Sequence, residues 1–136
     1  MPGSDSLIFP QALRDRVLAH ALSEAPREAC GILGGRDSVV EAVFEIVNAD
    51  SSNITYMMEP KEQFRVIKQL RHLDMEMVGI YHSHPATEAY PSPTDRKLAF
   101  YPEAFYVIVS LEDSGNPLMR VFRMNEGAVS EGVLIL

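Results

Sequence analysis

MVGIYHSHPATEAYPSPTD, residues Met77–Asp95, decides the fold. Its first part is continuously apolar until it meets His82 and reads as a buried strand, bounded beyond His84 by a proline-broken loop. Alternate side chains of a strand share a face, so His82 and His84 project together while Ser83 points away. Both sit where the apolar run ends, near the carboxyl end of the strand, the place where sites in open α/β sheets lie. Two adjacent imidazoles suit zinc, which takes nitrogen ligands at about 2.0–2.1 Å. Asp95 is the nearest acidic candidate for a third ligand. Pro85, Pro91 and Pro93 stiffen the loop between and reduce the entropy lost in holding it. Two histidines and an aspartate leave a fourth tetrahedral position for water, as a catalytic site needs.

The same letters have a second reading. Ser92-Pro93-Thr94-Asp95 is a helix start, with Ser92 as N-cap, Pro93 at the first helical position and Asp95 three residues after the cap. His82 and His84 would then be polar groups at a strand end. The residues alone leave both readings open, although four such residues coincide at one strand terminus.

Working outward, Pro10 opens a helix running to about Glu24, with Leu13, Val17, Leu18, Ala21 and Leu22 as its apolar side. ACGILGG reads as a short buried strand ending in a turn at Gly34–Gly35. VVEAVFEIVNA, rich in Val, Ile and Phe, is a strand, with NITYMMEP as its neighbour. Pro60 opens a second helix to about Glu76. Phe64, Ile67, Leu70 and Leu73 lie on one side of it, and Lys61, Arg65, Lys68 and His72 on the other. After the loop, a short helix over about 94–100 precedes the strands AFYVIVSLE, LMRVFRM and AVSEGVLIL. The order predicts an α/β fold: one domain, residues 1–136, with a mixed sheet flanked by helices.

Composition narrows the function. The 136 residues, 46% of them hydrophobic, are enough for one core without disulfides. A net charge of −7 argues against a nucleic-acid partner, since phosphate binding rests on clustered Lys and Arg. The one cysteine, Cys30, allows neither an internal disulfide nor a multi-cysteine zinc ribbon. Within ACGIL it reads as a buried, inert thiol. No basic-then-apolar leader and no apolar run of about 20 residues is present, so the expectation is a cytoplasmic protein that does not engage a membrane. The basic side of the second helix reads as a solvated face; acting otherwise, it would steer an acidic partner protein.

HSHPATEAYPSPTD matches, position for position, the His-x-His, seven residues, Ser, two residues, Asp signature of the JAMM (MPN+) zinc metalloproteases. PREACGILGG resembles that family's Glu-x-Cys-Gly segment, and FYVIVSLED its strand after the metal loop. The resemblance runs from Glu28 to about Asp113 and is to the short, stand-alone prokaryotic members. It implies a cytidine-deaminase-like (JAB/MPN) fold and one zinc per chain held by His82, His84 and Asp95. Glu28 would be the general acid/base and Ser92 the stabiliser of the oxyanion. The substrate implied is a ubiquitin-like or sulfur-carrier β-grasp protein, cut after its Gly-Gly tail at a peptide or isopeptide bond. The tail would add beside a strand of the sheet. NITYMMEP or the loop 86–90 is expected to border that groove, with Tyr56 and Tyr90 as the residues to test. The chemistry is coherent, because zinc makes hydroxide available near neutral pH while a base that is not a ligand must move the proton.

Rival readings are weaker. A non-catalytic MPN scaffold would lack one or more ligands, and every signature position is filled here. A nucleobase deaminase needs His-x-Glu and Pro-Cys-x-x-Cys, and a zincin needs His-Glu-x-x-His; neither is present. A DNA-repair-associated JAMM branch would call for a basic patch or DNA-binding module, and none is visible.

Overall fold

The computed structural model describes residues 5–50 and 54–136; the extreme N-terminus and the first residue of NITYMMEP, Asn53, lie outside them. The first strand, β1, is Ser6–Ile8, and Pro10 then precedes helix α1, Gln11–Glu24. Val17 and Ala21 are buried and Leu13 and Leu18 pack beside them, but Leu22 is exposed, so the apolar stripe is narrower than expected.

Strand β2, Cys30–Arg36, takes both Gly34 and Gly35 into the ladder. The turn falls instead at Asp37–Ser38, where both residues have positive φ, 53° and 61°. A two-residue turn of that hand matches the twist of the strands it joins, and Asp tolerates the left-handed region. Gly34 is needed for packing: a Cβ there would lie 2.5 Å from Leu70 Cδ2. Strand β3 is Val39–Ile46. NITYMMEP forms no strand beside it among the described residues; it runs beside the residues just after β3 through an antiparallel bridge, Asn48 to Met58, flanked by the Ala49 N–H to Met57 O and the Glu59 N–H to Val47 O.

Helix α2, Pro60–His72, begins at Glu59, whose carboxylate accepts the Glu62 N–H. It ends four residues before the expected Glu76. Asp74 adopts φ 58°, its N–H bonds to Arg71 O, and the Met75 N–H returns to Leu70 O at 2.9 Å. That left-handed closure satisfies the last carbonyls and stops the helix. Val66 and Leu70 face inward, whereas Phe64 is 56% exposed and Leu73 43%. Phe64 therefore shares the outer face with Lys61, Arg65 and Lys68, and the Lys68 ammonium sits over its ring.

Strand β4, Glu76–His84, carries the histidines; helix α3, Pro93–Lys97, follows the loop, shorter than expected. Strands β5, Phe105–Ser110, β6, Leu118–Asn125, β7, Ala128–Glu131, and β8, Val133–Ile135, complete the chain. AVSEGVLIL is thus two strands, not one.

All eight strands form one mixed sheet in the order β7-β6-β5-β4-β2-β3-β1-β8. One face packs Leu33, Tyr81, Val107 and Val109 against α1; the other packs Ile32, Ile80 and Tyr106 against Val66 and Leu70 of α2. The fold is the expected one, a mixed sheet flanked by helices. β4 lies centrally, antiparallel to β2 and parallel to β5, and its carboxyl end points the histidines toward the α2 side. β7 and β8 sit at opposite ends of the sheet yet are separated in sequence only by Gly132. The sheet curls until its two ends meet there, and the Gly132 N–H donates to Val121 O of β6 at 2.8 Å. No helix among the described residues is long and apolar enough to cross a membrane.

Candidate metal centre

His82, His84 and Asp95 converge. The Nε2 atoms of the two histidines lie 3.2 Å apart, and Asp95 Oδ2 is 3.1 Å from the first and 3.0 Å from the second. Four ligands at about 2.0–2.1 Å around a tetrahedral ion would stand roughly 3.3–3.4 Å from one another, so this triangle has the size of one face of such a polyhedron. Its chemistry agrees. The Nδ1–H of His84 donates to the Glu88 carbonyl at 2.8 Å, which leaves Nε2 with its lone pair in the neutral ring. A lone pair facing a carboxylate oxygen and a second imidazole nitrogen, all buried, calls for a cation between them.

Each of the three side chains is held in place by its neighbours. The ring of Tyr56 stacks on His82 with centroids 4.5 Å apart. The loop bearing Glu88 is pinned by Ser110, whose hydroxyl donates to Thr87 O, and by Ala89, buried against Ile108 and Phe122. Ser92 Oγ accepts the Asp95 N–H at 3.0 Å, while Asp95 Oδ2 accepts the Ser92 N–H at 2.9 Å. The helix-start reading and the ligand reading are therefore compatible, because one capping box aims one carboxylate at the histidines. Protonation follows the environment. Burial lowers the His82 pKa and keeps the ring neutral, despite Asp95. His84 is buried too, but Asp95 and the Glu88 carbonyl favour its protonated form and outweigh burial, which raises its pKa. Asp95 is held far below the usual carboxylate range, since two imidazoles and the Ser92 N–H overcome the effect of burial.

Glu28 precedes β2. The ladder pairs Cys30 with His82 and Gly31 with Tyr81, and the Ser83 N–H donates to Ala29 O at 3.0 Å. Continuing that register sets Glu28 across from His84. It is 3% exposed, its Oε1 has no hydrogen-bond partner among the described residues, and burial pushes its pKa up to about 7, with His84 opposing and Asp95 adding. A partnerless buried carboxylate poised near neutrality suits proton transfer. Cys30, directly across from His82, is buried and its thiol is pushed up to about 12, which makes it inert.

A cleft of about 230 Å³ opens beside Asp95, lined by Tyr56, Met57, Met58, Leu98 and Phe100 among others. Tyr90 is not among its lining residues and packs edge-on against Phe122. Of the two expected borders, the 55–58 side faces this cleft. Sequence reasoning gave no role to Asn48, to Ser83, whose Oγ accepts the Ala29 N–H at 2.8 Å, or to the Glu88 carbonyl. The available signal for Asn48 was a polar residue two positions after inward-facing Ile46.

The profile of prokaryotic homologs of the JAB domain matches residues 10–125, and the chain belongs to that family. A CysO-cysteine peptidase of Mycobacterium tuberculosis is 41% identical over 127 residues, covering 92% of this chain and 87% of its own. A probable TtuB-protein conjugate cleaving protease of Thermus thermophilus is 36% identical, with coverage of 89% and 78%. The solution structure of a protein from Desulfitobacterium hafniense superposes with a TM-score of 0.88 at 39% identity, covering 96% of this chain and 92% of that one.

Proposed function

We propose that this chain is a zinc-dependent peptidase that cuts the peptide or isopeptide bond after the Gly-Gly tail of a ubiquitin-like or sulfur-carrier β-grasp protein. The observation that carries the reading is the 3.0–3.2 Å triangle of two imidazole nitrogens and a carboxylate oxygen, with the buried carboxylate of Glu28 just before the neighbouring strand β2. The relatives' names, a peptidase acting on CysO-cysteine and a protease acting on TtuB conjugates, support the substrate class.

His82, His84 and Asp95 would hold the zinc. When bound, zinc supplies Lewis-acid activation of water and of the scissile carbonyl. Glu28 takes a proton from the attacking water and returns it to the leaving amine, a transfer its pKa near 7 favours. The Ser92 Oγ already accepts the Asp95 N–H, so its own O–H is free to donate to the oxyanion. The cleft between Tyr56 and Phe100 takes the extended tail, whose glycines allow close approach.

The test pairs zinc content, measured by mass spectrometry on untagged full-length protein, with cleavage of a β-grasp protein extended beyond Gly-Gly. About one zinc per chain, lost in Asp95→Ala together with cleavage, is expected. Absence of zinc after reconstitution, or undiminished cleavage by Asp95→Ala, overturns the reading.

A further inference from the structure

Asn48 lies at 3% exposure just beyond β3, a buried amide in a place where an apolar residue would fit the strand pattern. Every hydrogen-bonding position of its side chain is taken. Nδ2 donates to Glu28 O at 2.9 Å and, at a longer 3.4 Å, to Thr55 O. Oδ1 accepts the N–H groups of Asp50 and Met57, each at 2.9 Å. Two carbonyls on one side and two N–H groups on the other settle the orientation of the amide, and among side chains of this length only asparagine offers two donors and two acceptors. Its backbone is tied as well, since Arg27 Nη2 donates to Asn48 O at 3.0 Å.

What these bonds connect is functional. Glu28 is the buried carboxylate across from His84. The segment 55–58 supplies Tyr56, which stacks on His82, and forms one wall of the cleft beside Asp95. Ser83, between the two histidines, holds the other side of the same backbone through the Ala29 N–H. Glu28 thus has no side-chain bond at Oε1 to orient it, and its position depends on how its main chain is clamped. We propose that Asn48 is a positioning residue for Glu28: its amide fixes the Glu28 main chain to the cleft wall, so that carboxylate, metal-binding histidines and bound tail share one frame. The proposal rests on the reading of Glu28 as the acid/base.

Asn48→Asp keeps the shape and the two accepted bonds but loses the donor to the Glu28 and Thr55 carbonyls; Asn48→Ala loses both sides. The test is steady-state cleavage of a Gly-Gly-extended β-grasp protein by full-length zinc-loaded protein, for these variants, Glu28→Gln, and the double variant Glu28→Gln/Asn48→Ala. Both Asn48 variants are expected to bind zinc at wild-type stoichiometry, and Asn48→Asp, which keeps the Met57 and Asp50 bonds of the cleft wall, to hold KM within about threefold. Their kcat falls about ten- to hundredfold. On the Glu28→Gln background, Asn48→Ala should cause no further loss, because it acts through a carboxylate already removed. A merely structural staple would lower the melting temperature and leave the kcat of folded protein unchanged, which overturns the proposal, as does full additivity in the double variant. A fully active Glu28→Gln overturns the acid/base reading and this proposal with it, whereas a Glu28→Gln of strongly reduced but measurable activity beside a fully active Asn48→Ala overturns only the positioning role. If Asn48→Ala does not fold, Asn48→Asp carries the kinetic comparison. Independently of activity, NMR of the metal-free wild type should show a scalar coupling across the bond from Asn48 Nδ2 to the Glu28 carbonyl; its absence also counts against the clamp.

Discussion

Glu28 and Cys30 stand two positions apart on one buried segment, and burial raises both. For Glu28 the consequence is a pH dependence of stability. Its folded pKa of about 7 lies above the ordinary 4.5, so between those values the folded state binds the extra proton. Its contribution is fully present below about 4.5 and is lost as pH rises through about 7. At 1.36 kcal/mol per unit, the loss is up to about 3 kcal/mol. Urea unfolding of metal-free protein at about pH 5 and pH 7.5 should show the wild type losing that much relative to Glu28→Gln; parallel behaviour of the two would count against a buried, uncompensated carboxylate. Cys30 gives a simpler test. With its thiol near 12 and no exposure, it should resist iodoacetamide at pH 8 in the native protein and react once unfolded, read by mass shift. Native labelling at the unfolded rate would mean that β2 opens readily.

Elements were legible where a single period governed them and obscure where tertiary contacts chose among equals. Pro60 and Pro93 marked helix starts because proline suits the first helical position, and Pro10 stands one residue earlier, at the N-cap of α1. Helix α2 ended early through Asp74, a residue whose left-handed conformation no periodicity announces. The hairpin turn chose Asp37–Ser38 over the adjacent glycine pair, since Gly34 was needed where α2 packs close. Spacing also grouped Phe64 with Leu70, but they differ in burial, 56% against 3%. Leu70→Ala should therefore lower stability by about 2–5 kcal/mol through the cavity it leaves. Phe64→Ala should stay within about 0.5 kcal/mol. Equal losses in chemical denaturation would restore the face that spacing suggested.

At the scale of the molecule, two long-range juxtapositions were beyond the reach of spacing. His82, His84 and Asp95 lie within 14 positions and announce themselves, whereas Glu28 meets them only because β2 pairs antiparallel with β4 in a register that sets 28 against 84. That position was available only through family resemblance, and Asn48 was not available at all. The second juxtaposition is the closure of the sheet. β8 pairs with β1, Ser6 against Val133, while β7 pairs with β6 at the far end, and Gly132 is the whole of the connection. A Cβ at Gly132 would stand 2.5 Å from Asp5 O, a backbone atom that cannot turn aside as a side chain would. Gly132→Ala must therefore push β1 and β6 apart, and a loss of about 1–3 kcal/mol is expected, as for other overpacked sites. Because that joint ties both ends of one sheet, the loss should appear as a lower midpoint of a single cooperative transition rather than as fraying of the last strand. Gly115→Ala is the control, with its nearest neighbour a side-chain oxygen 3.6 Å away, and should be close to neutral. If Gly132→Ala unfolds with the wild-type midpoint while amides of β8 alone lose protection from hydrogen exchange, β8 is an appendage rather than the strand that closes the sheet.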